Sequence, residues 1–231
     1  MPDLRSLGLN EDAAPQVDWE APPPGMNPPP VTPGSWWLRL VMPENKEDWF
    51  DGVERATQKD ANGKPVPSSV RKFLEVTIEP EVVADNQKRP VANEDGSPIK
   101  LGPQRFNTFM SPKRRIHRLA ELLRGCGVRI DGSLLGQIDS VMTQLNGNAL
   151  FEAEIIWRAY FKSTDTTVST HPRGKKSGEL TWPRAADGNW ELMATNPSTG
   201  EKLYGYAEIA NVKMPTATSS SDGNLASGAT T

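Results

Sequence analysis

ALFEAEIIWRAYF, residues 149–161, alternates along its length. Phe151, Ala153, Ile155, Trp157, Ala159 and Phe161 fall on one side, and Glu152, Glu154, Arg158 and Tyr160 on the other. A period of two over so long a run marks a half-buried strand, with one face to a core and one to solvent. The pattern predicts a mainly β protein. SWWLRLVM (35–42) sets Trp36, Leu38 and Leu40 against Trp37, Arg39 and Val41. KFLEVTIEPEVV (72–83) sets Leu74, Val76 and Ile78 against Phe73, Glu75, Thr77 and Glu79. LYGYAEIANVKM (203–214) reads as a last, tyrosine-bearing strand, and RFNTFM (105–110) as a weaker one.

The remaining segments are expected to be helix or loop. DWFDGVERATQKDANGKP (48–65) reads as a short helix running into loop, its acids at 48, 51 and 54 having helical spacing and forming a solvated face. In FMSPKRRIHRLAELLRGCGV (109–128), Ser111 is suited to an N-cap and Pro112 to the first helical position. Ile116, Leu119, Ala120 and Leu123 then form an apolar stripe, closed by Gly125 or Gly127. A second helix is expected after an Asp131 cap, with Leu134, Leu135, Ile138, Val141, Met142 and Leu145 facing the core. The order β-β-β-α-β-β, with a helical insertion, is that of an OB-fold, a small Greek-key β-barrel. Other small barrels and α+β sheets share much of it.

The folded domain is expected over 35–215, with a basic loop insertion at 163–190. Residues 1–34 carry five acids, one base and clustered prolines, and read as an extended, disordered acidic arm. Residues 216–231 are small and polar and read as a disordered tail. With a formal net charge of −3, any attraction for nucleic acid must be local. One cysteine and two histidines exclude a disulfide framework and a Cys-based zinc site. There is no apolar run of membrane-spanning length and no signal-peptide pattern, so no membrane association and a cytoplasmic location are expected.

Catalytic signatures fail. HPRGKKSG (171–178) lacks the earlier glycine of a phosphate-binding loop, and no nucleophile elbow, zincin or dinucleotide fingerprint occurs. Cys126 sits in a Gly-Cys-Gly helix exit, and the sequence sets no evident catalytic Asp or Ser beside His117 or His171. No enzyme activity, cofactor or metal is predicted. Binding signatures are stronger. Residues 111–129 hold six bases and one acid, with Lys113, Arg114, Arg115 and Arg118 crowded together. Cations at a helix start oppose the helix dipole, whereas a polyanion docked there would favour them. A second basic cluster is Arg173, Lys175 and Lys176, with Trp182 and Trp190 behind it. Bases that track phosphates, interleaved with rings that stack, suit single-stranded nucleic acid. Trp37, Arg39, Phe73, Arg105, Arg158, Tyr160, Tyr204 and Tyr206 complete the candidate contacts, while Glu75, Glu79, Glu152 and Glu154 on the same faces would repel phosphate.

PPVTPGSWWLRL, FLEVTIEPEVV, RFNTFMSPKRRIHRLAELLRGCGV and YGYAEIANVKMP together resemble phage-encoded single-stranded-DNA-binding-like proteins of OB-fold type. The resemblance spans roughly 31–215. It implies a non-catalytic single-stranded DNA binder acting as an accessory in phage replication, recombination or repair, with phage or host proteins of those processes as partners. Carried over to this chain, it points to Lys113, Arg114, Arg115 and Arg118 as contacts and to Glu208-Ile209-x-x-Val212 as a structural strand. The alternative expectation is a virion or assembly protein whose basic helix docks an acidic partner.

Overall fold

The computed structural model describes residues 28–109, 117–129, 133–171 and 179–214. It is mainly β, as the alternation requires. The long alternating run is β7 (Leu150–Phe161), and its odd-numbered side chains from Phe151 to Phe161 are all buried. β1 (Gly34–Arg39) pairs antiparallel with its first half, through Gly34↔Ile155 to Arg39↔Leu150. β8 (Thr166–Ser169) pairs with its last four residues, and β12 (Tyr206–Val212) with residues 153–158. Arg158 faces both Ser169 and Tyr206, so β8 and β12 lie on opposite edges of β7. β1 and β8 therefore follow one another along the same edge.

The third predicted strand segment is one chain in two sheets. β3 (Val70–Ile78) pairs with β2 (Phe50–Ala56) and β6 (Gln104–Asn107) in a three-stranded sheet. Two residues later, β4 (Glu81–Asp85) pairs with β1 and with the short β5 (Ile99–Lys100) in the large sheet. Pro80 stands at the corner, where its missing N–H breaks no ladder. The partner strand turns at the same level, through Gly102 at φ 82°, a conformation that favours glycine. Neighbours thus run β6/β5, β3/β4, β1, β7, β12. The backbone ladder stops there and does not close into a barrel among the described residues. Between β12 and β6 the Gln104 carboxamide spans the gap: its Nε2 donates to the Ala207 carbonyl at 3.0 Å and its Oε1 accepts from the Ile209 N–H at 3.0 Å.

Both sheets face one core, built from Leu38, Val76, Ile78, Phe106, Phe151, Ile155 and Ile209 among others. Two helices close it. α1 (Arg118–Gly125) lies at the Gln104 seam against β6, β7 and β12, burying Leu119, Leu122 and Leu123. Gly125 sits so close to β12 that an added Cβ would fall 2.2 Å from Val212 Cγ1. α2 (Leu134–Leu145) buries Ile138, Met142 and Leu145. A second, smaller core of Trp157, Ala159, Phe161, Val168, Trp182 and Ala194 covers the far end of β7. It is built with the chain after β8, through β9 (Glu179–Thr181) and the hairpin of β10 (Met193–Thr195) and β11 (Lys202–Tyr204).

Several expectations are corrected. Among the described residues there are twelve strands, more than the five named in the simple order. The first part of segment 48–65 is strand, not helix: after a single 3-10 turn at Lys46–Asp48, β2 begins, and pairing with β3 overrides the helical spacing of the acids, while residues 57–65 form the expected loop. The α1 helix starts at Arg118 with His117 as N-cap, its Nδ1 accepting the Ala120 N–H at 2.9 Å. Ser111, Pro112 and Ile116 lie outside the described residues, as does Asp131; Ser133 holds the N-cap position of α2. Leu135 is 69% exposed, off the buried stripe of α2. The 163–190 stretch is only partly loop, since it contributes β8, β9 and Trp182 to the second core.

Candidate nucleic-acid interface

The register gathers five of the candidate contacts on the outer face of the large sheet. Trp37 lies opposite Glu152, Arg39 opposite Leu150 and Tyr206 opposite Arg158, while Tyr160 follows two residues after Arg158 on the same strand. Tyr206 and Tyr160 are 53% and 45% exposed. The cations on this face, however, are matched by carboxylates. Arg39 pairs with Glu81 at 3.2 Å, and Lys213 with Glu152. Arg158 is held between Glu179, at 3.1 Å, and Glu208. Burial alone would lower the Arg158 pKa, but these two carboxylates outweigh it and hold the guanidinium above its ordinary value. Burial first, then the Glu208 charge, raises the Tyr206 phenol. The Tyr160 hydroxyl donates to Asp165 at 2.8 Å, which raises its pKa as well. Lys88 sits 5.1 Å from the Trp37 ring. A phosphate arriving here would have to displace an existing partner at each arginine.

Arg118, at the start of α1, is likewise engaged. It donates to the Ile209 carbonyl, lies 4.0 Å from Glu208 and stacks 5.0 Å from the Phe106 ring. Tyr204 is half-buried in the β10–β11 hairpin, opposite Met193. Trp182, expected to be available for stacking, is buried: it lies 5.7 Å edge-to-face from Trp157, with its indole N–H on the Glu191 carbonyl. Trp190 carries the Arg184 guanidinium 3.6 Å over its ring. Lys113, Arg114, Arg115, Arg173, Lys175 and Lys176 lie outside the described residues.

Phe73 and Arg105 are elsewhere, on the outer face of the three-stranded sheet. Val76, Ile78 and Phe106 turn inward, so Arg71, Phe73, Glu75 and Thr77 of β3 turn outward. Cross-strand partners on that face are Arg55, Val53 and Asp51 of β2, and Asn107 and Arg105 of β6. Phe73 meets Phe109 edge-to-face, centroids 5.1 Å apart at 87°, both rings half-buried. Beside them Arg55 and Arg71 stand directly opposite each other, both exposed. Like charges in that position repel. Asp51 and Glu75, also directly opposed, repeat the conflict with the other sign. Next to them opens a cavity of about 440 Å³ whose lining includes Phe50, Asp51, Glu75, Thr77, Pro103 and Arg105.

Arg55, Arg71 and Phe109 escape sequence reasoning. The signal for Arg55 and Arg71 is the pairing of β2 with β3, which cannot be read while 48–65 passes for helix and loop; that for Phe109 is the pairing of β6 with β3. The two groups with chemistry of their own are quiet. Burial pushes the half-exposed Cys126 thiol up to about 12, so it is protonated at neutral pH. Burial, helped by the Arg124 charge, lowers His117 and keeps its capping nitrogen free to accept. Among the described residues no helix is long and apolar enough to cross a membrane, and no three His, Cys, Asp or Glu side chains are grouped to hold a metal ion. Comparison with family models, with curated proteins and with solved structures gives no match.

Proposed function

We propose that the chain is a non-catalytic single-stranded DNA-binding protein built on an elaborated OB-type barrel, and that DNA lies across the outer face of β2, β3 and β6. The observation that carries this is the strip formed by the Phe73–Phe109 ring pair and the opposed Arg55 and Arg71. The rings offer a stacking platform. The arginines relieve their mutual repulsion when a phosphate sits between them. The large-sheet face has tyrosines too, but its arginines are already paired with carboxylates.

The neighbour order supports the barrel. Taking β3/β4 and β5/β6 each as one bent strand, the ring β1, β3/β4, β5/β6, β12, β7 is the OB order, with Gln104 standing in for the ladder at one seam. In OB-folds the second and third strands and the loop before them form the oligonucleotide face, and here these are β3/β4, β5/β6 and the segment containing β2. Lys113, Arg114 and Arg115 follow Phe109 within six residues in the sequence.

The test is titration of a labelled single-stranded oligonucleotide at low and high salt. Binding is expected to weaken steeply with salt. Phe73→Ala should cost about 5- to 100-fold, the range of one lost base stack. Arg71→Ala should weaken binding and flatten the salt dependence by about one charge. Tyr206→Ala, on the opposite face, should leave affinity unchanged. No binding at low salt refutes the proposal, and so does equal loss on both faces.

A further inference from the structure

The strip is two-signed, and the order of its parts is informative. Along β3 the outward positions read Arg71, Phe73, Glu75, Thr77: cation, ring, carboxylate, hydroxyl. Same-face neighbours on a strand are about 6.8 Å apart, twice the rise per residue. That step is on the scale of one nucleotide in a stretched single strand. β2 reinforces each level, with Arg55 beside Arg71, Val53 beside Phe73 and Asp51 beside Glu75. A strand with a phosphate at the arginines and a base on the Phe73 ring brings its next base to the carboxylates.

A phosphate is excluded from that next position. Glu75 is 7% exposed, and its cation Arg105 stands 3.9 Å away, outside hydrogen-bond range. Asp51 uses Oδ1 on its neighbour's N–H, from Gly52 at 2.7 Å, which leaves Oδ2 for a ligand. Two carboxylates that repel each other and are acceptor-only call for a group rich in N–H donors. The cavity beside them is lined by Pro43, Phe50 and Pro103, by the Thr77 hydroxyl, by Arg105 and by three further carboxylates, Glu47, Asp48 and Glu79. A nucleobase bearing an exocyclic amino group meets these requirements: flat, apolar on its faces and donating at its edge. Carboxylates accept from such amino groups, that of cytosine among them. Thymine presents a carbonyl oxygen where cytosine has the amino group, and that oxygen would face the carboxylates.

We infer that the Asp51–Glu75 pair and its cavity form a base-reading subsite that prefers an amino-bearing base to thymine, so that binding is base-selective at one position of the strand. This rests on the DNA-binding role proposed for the same face.

The test is competition between oligo-dC and oligo-dT of one length, pyrimidines that differ at this edge. The wild-type chain should bind dC at least about fivefold more tightly than dT, the low end for one good polar contact to a base. Glu75→Gln and Asp51→Asn should each bring the ratio toward one, with dT affinity unchanged or raised because a repelling charge is gone. Asp51 is exposed, so its variant decides the matter even where Glu75→Gln disturbs folding. Phe73→Ala should weaken both oligonucleotides and keep the ratio. Equal wild-type affinities, or a ratio that survives Asp51→Asn, overturns the subsite and leaves the binding face standing. Failure of both oligonucleotides to bind overturns the DNA-binding role and the subsite with it.

Discussion

Replacing Gln104 by leucine removes the only polar bridge described between β6 and β12 while keeping a side chain of similar bulk. Ala207 and Ile209 are 4% and 0% exposed. The Ala207 carbonyl and the Ile209 N–H therefore lose their Gln104 partner where water cannot replace it. Each orphaned buried group costs about 1–3 kcal/mol. Burying a leucine in place of an amide returns a part of this, so the net loss should be about 2–5 kcal/mol by the same reckoning. At about 2–4 °C per kcal/mol for a domain of this size, the melting temperature should fall by about 5–15 °C. Hydrogen exchange at the Ile209 amide should accelerate more than at Ile155, across the β7–β12 ladder. Gln104→Glu sharpens the test. Its carboxylate can still accept from Ile209 but confronts the Ala207 carbonyl, which raises its folded-state pKa. A raised carboxyl stabilises the fold below its unfolded value of about 4.3 and loses that stabilisation as pH rises through the folded value. The glutamate variant should thus approach wild-type stability only in acid. A leucine variant that melts within a degree or so of wild type, with Ile209 exchange unchanged, would show that the seam is held by packing alone.

Other expectations are as specific. An added Cβ at Gly205 would fall 2.5 Å from Trp182 Cη2 and 3.0 Å from the Arg158 carbonyl, so Gly205→Ala should cost about 1–3 kcal/mol in urea unfolding and shift tryptophan emission. Arg158→Met leaves Glu179 buried without its partner and should cost about 3 kcal/mol, well beyond a surface ion pair, in the same assay. The lowered His117 pKa makes its capping contribution fully present above the unfolded value of 6.5 and lost as pH falls through the folded value. His117→Asn, an acceptor that does not titrate, should flatten melting temperature against pH in that window. Cys126 should stay unreactive to a thiol reagent at pH 8 in the native state and react on unfolding.

Strands whose two faces differ were legible from residue order alone. β7, β1 and β3 each carry an apolar file at every second position, which the structure buries apart from the half-buried Trp36 and Leu74; in β12 Ala207, Ile209 and Val212 are buried, with a bulge after Ile209 shifting the alternation. The buried positions of α2 also follow the expected stripe, apart from Leu135. β2 was not legible, because FDGVERA has little apolar content and its identity as a strand comes from β3 beside it. The binding strip was hidden for the same reason. Arg55 and Arg71, or Asp51 and Glu75, become neighbours only once the register is set. The opposite error befell Arg39, Arg118 and Arg158. They read as available cations because their carboxylates lie 42, 90 and 50 residues away in the chain, at Glu81, Glu208 and Glu208. Periodicity reports which face is wet, while pairing decides which charges are spent.

β7 serves two cores that differ in what anchors them. Its first half is clamped by β1 and β12 on opposite edges, while its last residues hold the β8 hairpin and the Trp157–Trp182 cluster. The dependence runs one way. The outer cluster can come apart, or the segment after β8 change in length, with the main core intact. Loss of the main core, by contrast, removes the floor on which the outer one is built. The molecule is in this sense hierarchical, a two-sheet body with an annex.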